Sequence, residues 1–473
     1  MKIVLPVLAL LISSFTFAQT PCVNGMAGQY PCEGLDLMSH ISLSTFGSDR
    51  GNDSWGWTDP QDGTEYAIMG LGNGTVFVDI SDPVNPVYVG KLPKHAGTNS
   101  TTWRDVKVYN NHAFVVSDVN TNGHGMQVFD LTRLRNVSNP PETFTEDAHF
   151  NGFGDCHNIV INENTGYAYA VGSDGNNGGP IFINIQDPLN PVQEGQFTGD
   201  NYAHDAQVVI YDGPDTDYTG REILFGSNED RVSIVDVTDK ANPVGISNGF
   251  YGSVDYTHQG WLTDDKRYFI IGDELDESTF GFNTRTIIFD VSDLDNPVVH
   301  FEYEADTEAI DHNGYVVGND FYLSSYRAGI RILDISDIDN GNMVETKFFD
   351  TFPDSDSANF DGAWSVYPYF ASGNIVISDI NRGLFIVRDS SLGINDNTVS
   401  NFAVSPNPAK DIVTISSKTE PITQVEIYNV LGQKVMDQKF SNSLSEKINV
   451  SNLQSGMYVM KINSTTTKRL LID

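Results

Sequence analysis

The chain has few basic residues, and this shortage excludes one class of partner. Its 473 residues include 27 Lys and Arg against 63 Asp and Glu, a formal net charge of −36. Nucleic-acid-binding proteins neutralise phosphates with a basic face, which so few cations cannot form. Hydrophobic residues make up 39% of the chain and charged residues only 19%, a balance that indicates a folded protein rather than a disordered one. We therefore expect no nucleic-acid partner.

Long hydrophobic runs are scarce as well. Lys2 precedes an apolar run over residues 3–12, and small residues at positions 16 and 18 match a cleavage site after Ala18. This pattern predicts a secretory signal peptide over residues 1–18. The run is shorter than the roughly 20 residues of a membrane-spanning helix, and no later run is long enough. We expect an exported protein without a transmembrane span.

Cysteine is also rare, with three in the whole chain. Export permits disulfides, and Cys22 and Cys32 lie close together in an N-terminal loop segment, residues 19–37, that contains Pro and Gly. The sequence predicts that these two form a disulfide. Cys156 is then left over beside His157, and we interpret it as a small buried apolar residue, with metal ligation as the alternative.

The chain does contain a repeat. A short apolar strand recurs with steps of 51, 54, 52, 54, 44 and 54 residues, measured between Asp79, Asp130, Asn184, Asp236, Asp290, Asp334 and Arg388. Four strands fit into each period, and no long amphipathic helix interrupts them. Repeated four-stranded units are typical of a β-propeller. The sequence predicts an all-β fold with a seven-bladed β-propeller over residues 38–390.

The two ends of the repeat region complement each other. The seventh copy stops at Asp389 without a fourth strand, and a lone strand-like segment from about Met38 to Phe46 precedes the first copy. We predict that this segment pairs with residues 384–387 and closes the ring, which removes an open sheet edge.

The composition changes after residue 400. Residues 401–473 hold eight Lys and Arg against six Asp and Glu, whereas residues 1–400 hold 19 against 57. Alternating apolar residues over 413–416, 424–428 and 457–462 predict a small Ig-like β-sandwich in residues 401–473. The polar stretch 391–400 is interpreted as a linker.

Four segments of this tail carry a resemblance to a known family. They are 405–411 (SPNPAKD), 425–435 (VEIYNVLGQKV), 453–462 (LQSGMYVMKI) and 468–472 (KRLLI). The tail resembles the type A sorting domain of the bacterial type IX secretion system. The resemblance implies a Bacteroidetes-like source, export by that machinery, removal of the tail, and either release or attachment to a surface glycolipid. The protein would then be secreted or held on the outer surface of the outer membrane.

The repeat region resembles a second family. The segments are 103–109 (WRDVKVY), 204–211 (HDAQVVIY), 220–223 (GREI), 256–262 (YTHQGWL), 272–277 (GDELDE) and 362–369 (GAWSVYPY). They are similar to the choice-of-anchor B family, whose propellers are built from LVIVD repeats. The resemblance implies fold and location, and it brings no established activity.

Four periods begin their first strand with a histidine: His157, His204, His258 and His312. The first strand of each blade lines the channel of a propeller, so these side chains are expected to converge on the axis. Neutral imidazoles suit Zn, Fe, Cu or Ni, which predicts a transition-metal or ligand site. The alternative is a structural role in hydrogen bonds within each blade. The carboxylates expected to orient the imidazoles are Asp155, Asp205, Asp311 and Asp361.

An acidic cluster offers a second candidate site. Asp273, Glu274, Asp276 and Glu277 could present hard oxygen ligands to calcium, although their spacing is not that of a twelve-residue calcium loop. A solvated acidic loop is the simpler interpretation.

The sequence favours a secreted or surface-attached propeller that binds an unknown ligand or protein partner at its channel face. One alternative is a metal-dependent hydrolase or lyase that uses the histidines and an adjacent Asp. The other is a purely structural surface protein, whose channel would be filled by apolar side chains.

Overall fold

The structure is a computed structural model that describes residues 19–118, 122–199, 201–390, 402–405, 409–417, 421–429, 433–454, 456–463 and 466–472. The predicted signal peptide, 1–18, and the predicted linker, 391–400, lie outside these residues. The chain divides into two compact units, Met1–Ser390 and Ser391–Asp473. Both are all-β and consist of small antiparallel sheets.

Three strands precede the repeats in the first unit: β1 (Met26–Ala27), β2 (Tyr30–Glu33) and β3 (Leu35–Ser42). The segment 19–37 is therefore not the simple loop expected from the sequence. A disulfide joins Cys22 to Cys32. Cys32 is buried opposite Phe349 in a sheet of the repeat region, so hydrophobic burial and strand pairing order this segment.

Seven sheets follow in the described part of this unit. Six of them contain four consecutive or nearly consecutive strands, and the seventh contains three together with β3. The first comprises β4 (Gly51–Thr58), β5 (Glu65–Leu71), β6 (Gly74–Asp79) and β7 (Val87–Pro93). The second comprises β8 (Trp103–Tyr109), β9 (His112–Asp118), β10 (Met126–Asp130) and β12 (Ala148–Phe150), while the short β11 (Glu142–Thr143) runs parallel to β7. The third comprises β13 (Cys156–Asn162), β14 (Tyr167–Ser173), β15 (Ile181–Asn184) and β16 (Val192–Gln196).

The fourth sheet comprises β17 (Asp205–Ile210), β18 (Glu222–Ser227), β19 (Val232–Asp236) and β20 (Val244–Gly249). The fifth comprises β21 (Thr257–Leu262), β22 (Tyr268–Asp273), β23 (Arg285–Asp290) and β24 (Val298–Glu304). The sixth comprises β25 (Gly314–Val317), β26 (Asp320–Ser324), β27 (Ile330–Asp334) and β28 (Val344–Phe349), and β2 and β1 extend its outer edge. The seventh comprises β29 (Ala363–Tyr367), β30 (Asn374–Asp379), β31 (Gly383–Asp389) and β3.

Helical structure is minor among the described residues. A short α-helix, α1 (Asp276–Phe280), follows β22, and 3-10 turns lie at Leu131–Asn136, Asn176–Gly178, Thr216–Tyr218 and Ile338–Asn340.

The first strands of the seven sheets surround a common centre. Each contacts the first strand of the next sheet, from β4 through β8, β13, β17, β21 and β25 to β29, and β29 contacts β4 in turn. Side chains at the start of one first strand therefore lie beside those of its neighbours. Buried apolar side chains of adjacent sheets form shared cores, such as the one that joins Phe225 of β18 to Phe269 of β22.

The repeated aspartate has a local role at the end of the third strand. The Oδ1 atoms of Asp79, Asp290 and Asp334 accept the backbone N–H two residues further on, at 2.9, 2.9 and 2.8 Å. This hydrogen bond forms an Asx-turn that ends the strand. In the seventh sheet the chain makes no such turn to a fourth strand, and Arg388 occupies the equivalent position.

The N-terminal strand β3 supplies the outer strand of the seventh sheet. It pairs antiparallel with β31, with Leu35 opposite Asp389 and Ser42 opposite Gly383. The strand lies earlier than the predicted segment, because the chain turns directly after Ser42 and Phe46 N–H donates to the Leu43 carbonyl at 3.0 Å. Within the predicted segment, Ser39 lies opposite Ile386, His40 opposite Phe385 and Ile41 opposite Leu384.

The second unit contains two sheets in its described residues. One has the order β32 (Phe402–Ser405), β33 (Ile412–Ser417), β36 (Ser445–Asn449), and the other the order β35 (Lys434–Ser443), β34 (Ile422–Asn429), β37 (Gly456–Ile462), β38 (Thr466–Ile472). Val413 and Ile448 from the first sheet and Ile427 and Met460 from the second are buried in one core. No helix in the described parts of the chain is long and apolar enough to cross a membrane.

Candidate functional site

A cavity of about 510 Å³ lies at one end of the ring, and we call it the histidine cavity. All four histidines that begin a repeat line it: His157, His204, His258 and His312. They come from four successive sheets, each at or just before the start of a first strand. The contacts between neighbouring first strands bring these residues together, although about 50 residues separate one from the next along the chain.

The four imidazole rings form a continuous row. Ring centroids are 4.3 Å apart between His157 and His204, and 4.2 Å apart for the next two neighbours, His204 with His258 and His258 with His312. His204, His258 and His312 are buried, and His157 is partly exposed.

Hydrogen bonds to the next sheet fix the tautomers of two of these rings. Nδ1 of His204 lies 2.8 Å from the His258 carbonyl oxygen, and Nδ1 of His312 lies 2.6 Å from the Trp364 carbonyl oxygen. A carbonyl only accepts, so Nδ1 carries the hydrogen in both rings and Nε2 carries a lone pair. The bonds cross between sheets, in contrast to the blade-internal alternative considered from the sequence. Nδ1 of His258 is buried without a hydrogen-bond partner.

Glu274 lies between His258 and His312. Its Oε2 is 3.7 Å from Nε2 of His258, and its Oε1 is 3.6 Å from Nε2 of His312. The Tyr326 hydroxyl donates to Oε1 at 2.6 Å. One ligand atom from each of these two histidines and Glu274 lies within 4.8 Å of the others. His157 and His204 are not members of this group.

Burial sets the protonation of the three groups. Desolvation raises the pKa of Glu274 to about 7 and lowers the pKa of His312 to about 3. Desolvation and the neighbouring histidines hold the pKa of His258 well below its usual value. The imidazoles are therefore neutral, which is the form that binds metals.

The electron-pair donors of His258, His312 and Glu274 are of the kinds that bind a metal cation. Nε2 of His312 has a lone pair and faces a carboxylate oxygen, and the one donor described at that oxygen is Tyr326. At 3.6 Å these two electron-pair donors are placed to share a cation, or to approach a proton that Glu274 carries. Two imidazole nitrogens and one carboxylate are a common ligand set for Zn²⁺ and for non-haem iron, and they leave further coordination positions open.

His157 belongs to a different arrangement in the same cavity. Its Nδ1 is 2.8 Å from Oδ2 of Asp118, and the Trp103 ring lies beside it with centroids 5.7 Å apart. Arg50, Tyr202 and Tyr256 complete the wall on this side. A carboxylate that accepts from one imidazole nitrogen leaves the other nitrogen able to take up a proton from a ligand.

Three of the four carboxylates expected to orient the imidazoles have other surroundings. Asp205 lines a different cavity and accepts from the Ala206 N–H at 2.7 Å, while Asp361 pairs with Arg327. Asp311 is buried, and neither of its carboxylate oxygens has a hydrogen-bond partner among the described residues. Asp205 is the first residue of β17 and lines the other cavity, so its side chain points away from His204. Asp118 and two backbone carbonyls orient the rings instead.

The predicted calcium ligands do not converge on one site. Asp273 accepts from the Asp255 and Tyr256 N–H groups and from the Tyr251 hydroxyl, while Asp276 accepts from Arg285 Nε at 2.6 Å. Glu277 accepts from the Arg285 N–H at 3.2 Å, and only Glu274 turns into the histidine cavity. Asp273, Asp276 and Glu277 are therefore engaged in hydrogen bonds within and around the fifth sheet.

Cys156 is buried, and its thiol donates to the carbonyls of Asn158 and Val171. Burial raises the pKa of this thiol well above its usual value.

Sequence reasoning missed Glu274, Tyr326 and Asp118 as partners of the histidines, but the repeat carried a signal for all three. In an antiparallel sheet the second strand ends at the level where the first strand begins. Asp118 ends β9, Glu274 follows β22, and Tyr326 follows β26, so each of them lies at the same end of the ring as the histidines.

Comparison with known families decides the nature of the tail. Residues 403–473 match the family described as the secretion system C-terminal sorting domain. The tail is a type IX secretion C-terminal sorting domain. Such a sorting domain indicates secretion through that machinery, often with attachment to the cell surface.

Two curated relatives align with parts of the chain. Ulvan lyase NLR42 of Nonlabens ulvanivorans is 27% identical over 144 residues, which is 27% of this chain and 27% of the relative. An endo-acting ulvan lyase of Formosa agariphila is 32% identical over 88 residues, which is 17% of each chain. The chain thus spans about a quarter or less of the length of these relatives.

Among solved structures, the β-propeller domain of Cps50 from Myceliophteria thermophila is similar with a TM-score of 0.44 and 10% identity. The match covers 68% of this chain and 92% of that domain.

Proposed function

We propose that the first unit is a seven-bladed β-propeller of the choice-of-anchor B type, exported by the type IX system, whose histidine cavity binds a divalent transition metal and a ligand beside it. His258, His312 and Glu274 hold the metal. The observation that carries the proposal is the position of the buried Glu274 carboxylate, 3.7 and 3.6 Å from the Nε2 atoms of two neutral histidines.

The rest of the cavity supports a ligand beside the metal. Three protein ligands leave at least one coordination position open in a tetrahedral site. Arg50, Tyr202 and Tyr256 offer hydrogen bonds, and Phe360 and Trp364 offer apolar contact. Polar groups around an open cavity of about 510 Å³ also argue against the purely structural alternative, in which apolar side chains fill the channel.

Metal analysis tests this function. The protein without residues 1–18 is purified without chelators, and its metal content is measured by mass spectrometry after equilibration with Zn²⁺, Mn²⁺ or Fe²⁺ and gel filtration. We expect about one ion per chain for at least one metal. Glu274→Gln and His312→Ala are expected to lose it, and His112→Ala, which changes a histidine bonded to the Asn110 carbonyl outside the cavity, is expected to retain it.

A second candidate function is a metal-dependent lyase or hydrolase. The His157–Asp118 pair favours it, because a general base beside an electrophilic metal is what elimination or hydrolysis requires. The short alignments to ulvan lyases suggest ulvan as the first substrate to test.

An ulvan assay separates an enzyme from a binder. Elimination creates a carbon–carbon double bond and therefore new ultraviolet absorbance, whereas hydrolysis creates reducing ends without it. Activity that His157→Ala abolishes, while metal content is unchanged, would support a catalytic role of the His157–Asp118 pair. Binding without either product would support a binding function.

The sorting domain also suggests the final state of the protein. We propose that the tail is removed during export and that the propeller is then released or joined to a surface glycolipid. The Ig-like sandwich expected from the sequence fits the two sheets of the second unit and their shared core.

A further inference from the structure

A second cavity, of about 420 Å³, lies at the opposite end of the first strands, and we call it the aromatic cavity. Trp261 lines it, three residues after His258 on the same strand β21. Val160 and Ile161 line it in the same way after His157 on β13. At about 3.3 Å per residue, three residues of a strand span about 10 Å, so the two cavities are distinct.

Aromatic side chains dominate the wall of this cavity: Trp55, Trp261, Tyr315, Tyr367 and Tyr369. All but Tyr315 are partly exposed. They meet mainly edge to face, with centroids 5.2 Å apart for Trp55 and Tyr367 and 4.9 Å apart for Trp261 and Tyr315. Trp55 and Trp261 thus form part of an accessible wall.

A partly buried cation, Lys107, adjoins this wall. Nζ of Lys107 is 2.6 Å from Asp105 and 3.0 Å from Asp53, and it stands 4.7 Å from the centroid of the Trp55 ring. An ammonium group has three hydrogens, and these two carboxylates take two of them. One hydrogen of Lys107 is therefore left to donate to a ligand.

Three carboxylates add acceptors around the cavity. Asp205 accepts only from the Ala206 N–H, and Glu163 and Asp264 make no hydrogen bond in the described part of the chain. With Asp53 and Asp105 nearby, negative groups outnumber the single Lys107. The cavity therefore repels anions. Lys107 already occupies one face of the Trp55 ring, so a second cation cannot bind to that face.

We propose that the aromatic cavity binds a neutral saccharide. A sugar ring presents C–H groups that stack on aromatic faces, and its hydroxyls donate to carboxylates in charge-assisted hydrogen bonds. Trp55 and Trp261 supply the stacking surfaces, Asp205, Glu163 and Asp264 the acceptors, and Lys107 the donor. The site is independent of the metal and of the function proposed for the histidine cavity.

Calorimetric titration tests the proposal with four neutral hexasaccharides: cellohexaose, xylohexaose, mannohexaose and laminarihexaose. A galacturonate hexamer is the anionic probe and choline the cationic one. We expect at least one neutral hexasaccharide to bind and to bind more tightly than both charged probes. Chelation of metal is expected to leave this affinity unchanged.

Variants assign the binding to this cavity. Trp261→Ala is expected to weaken it by at least about tenfold, Trp261→Phe to weaken it less, and Phe360→Ala, in the histidine cavity, to leave it unchanged. Circular dichroism and the thermal midpoint establish that each variant is folded. Failure of all four hexasaccharides to bind, tighter binding of a charged probe, or equal affinity of folded Trp261→Ala and the parent protein would overturn the proposal.

Discussion

Nε2 of His312 faces a carboxylate oxygen of Glu274 at 3.6 Å, while Nδ1 of the same ring donates to the Trp364 carbonyl at 2.6 Å. Because the bond to Trp364 places the ring hydrogen on Nδ1, Nε2 of His312 presents its lone pair to Glu274. The two residues come from different sheets, so the contact depends on the ring of first strands. It places Glu274 with His258 and His312 in one group of ligand-type atoms, whereas the sequence predicted a site formed by all four histidines.

His204→Ala tests this distinction. His204 donates to the His258 carbonyl but is not part of the ligand group. The variant is expected to keep its metal while losing about 1–3 kcal/mol of unfolding free energy, because a buried carbonyl loses its donor. Metal analysis and urea denaturation measure the two effects. Complete loss of metal from folded His204→Ala would favour the four-histidine site.

Removal of the tail is the second prediction. The sorting domain is expected to be absent from the working protein. Mass spectrometry of the protein recovered from the surface or medium of its native cells should show a chain that ends near residues 391–400. Intact chains that end at Asp473 would contradict this account of processing.

Ring closure by β3 gives a third prediction, tested by two truncations. Deletion through Gly34 removes the partner of β28 but retains β3, whereas deletion through Ser42 also removes the partner of β31. The longer deletion is expected to aggregate more strongly than the shorter one, since open strand edges pair with other chains and it exposes one edge more. Light scattering at equal concentration compares them. A soluble, folded protein after the longer deletion would show that β3 is dispensable.

The fourth prediction concerns the pH dependence of stability. Burial raises the pKa of Asp350 to about 6, and its Oδ1 accepts from the Phe352 N–H. The folded state then holds a proton that the unfolded state releases at lower pH, so this group costs stability as pH rises from about 4 to about 6.

In the Asp350→Asn variant the side-chain oxygen can still accept from the Phe352 N–H, but the side chain cannot ionise. Relative to the parent protein, it is expected to gain up to about 3 kcal/mol of unfolding free energy between about pH 4 and about pH 7. Denaturation at several pH values measures the difference. A constant difference across this range would mean that Asp350 titrates normally.

Much of the architecture could be predicted because local chemistry repeats. The aspartate that ends most of the third strands accepts a hydrogen bond from its own turn, so its spacing marks the sheets without knowledge of distant contacts. The convergence of four histidines followed from the same spacing. The strands in 19–37 could not be found this way, because Cys32 is ordered by burial against Phe349, more than 300 residues away in sequence.

The proposed metal-binding group, which consists of His258, His312 and Glu274, was harder to predict. Glu274 belongs to an acidic segment whose other members bond to Arg285 and to backbone N–H groups, and nothing in their order along the chain separates it from them. Only its position after β22, at the end of the ring where the first strands begin, brings it to His258 and His312. The order of the strands within each sheet thus indicated where Glu274 lies, whereas the spacing of residues along the chain did not.

The most direct test of the central claim is a crystal structure of the metal-loaded protein, with anomalous data collected on both sides of the metal's absorption edge. We expect one anomalous peak in the histidine cavity, about 2.0–2.1 Å from Nε2 of His258 and His312 for Zn²⁺, with Glu274 as the third protein ligand. A cavity without a peak, or a metal held by other residues, would contradict it.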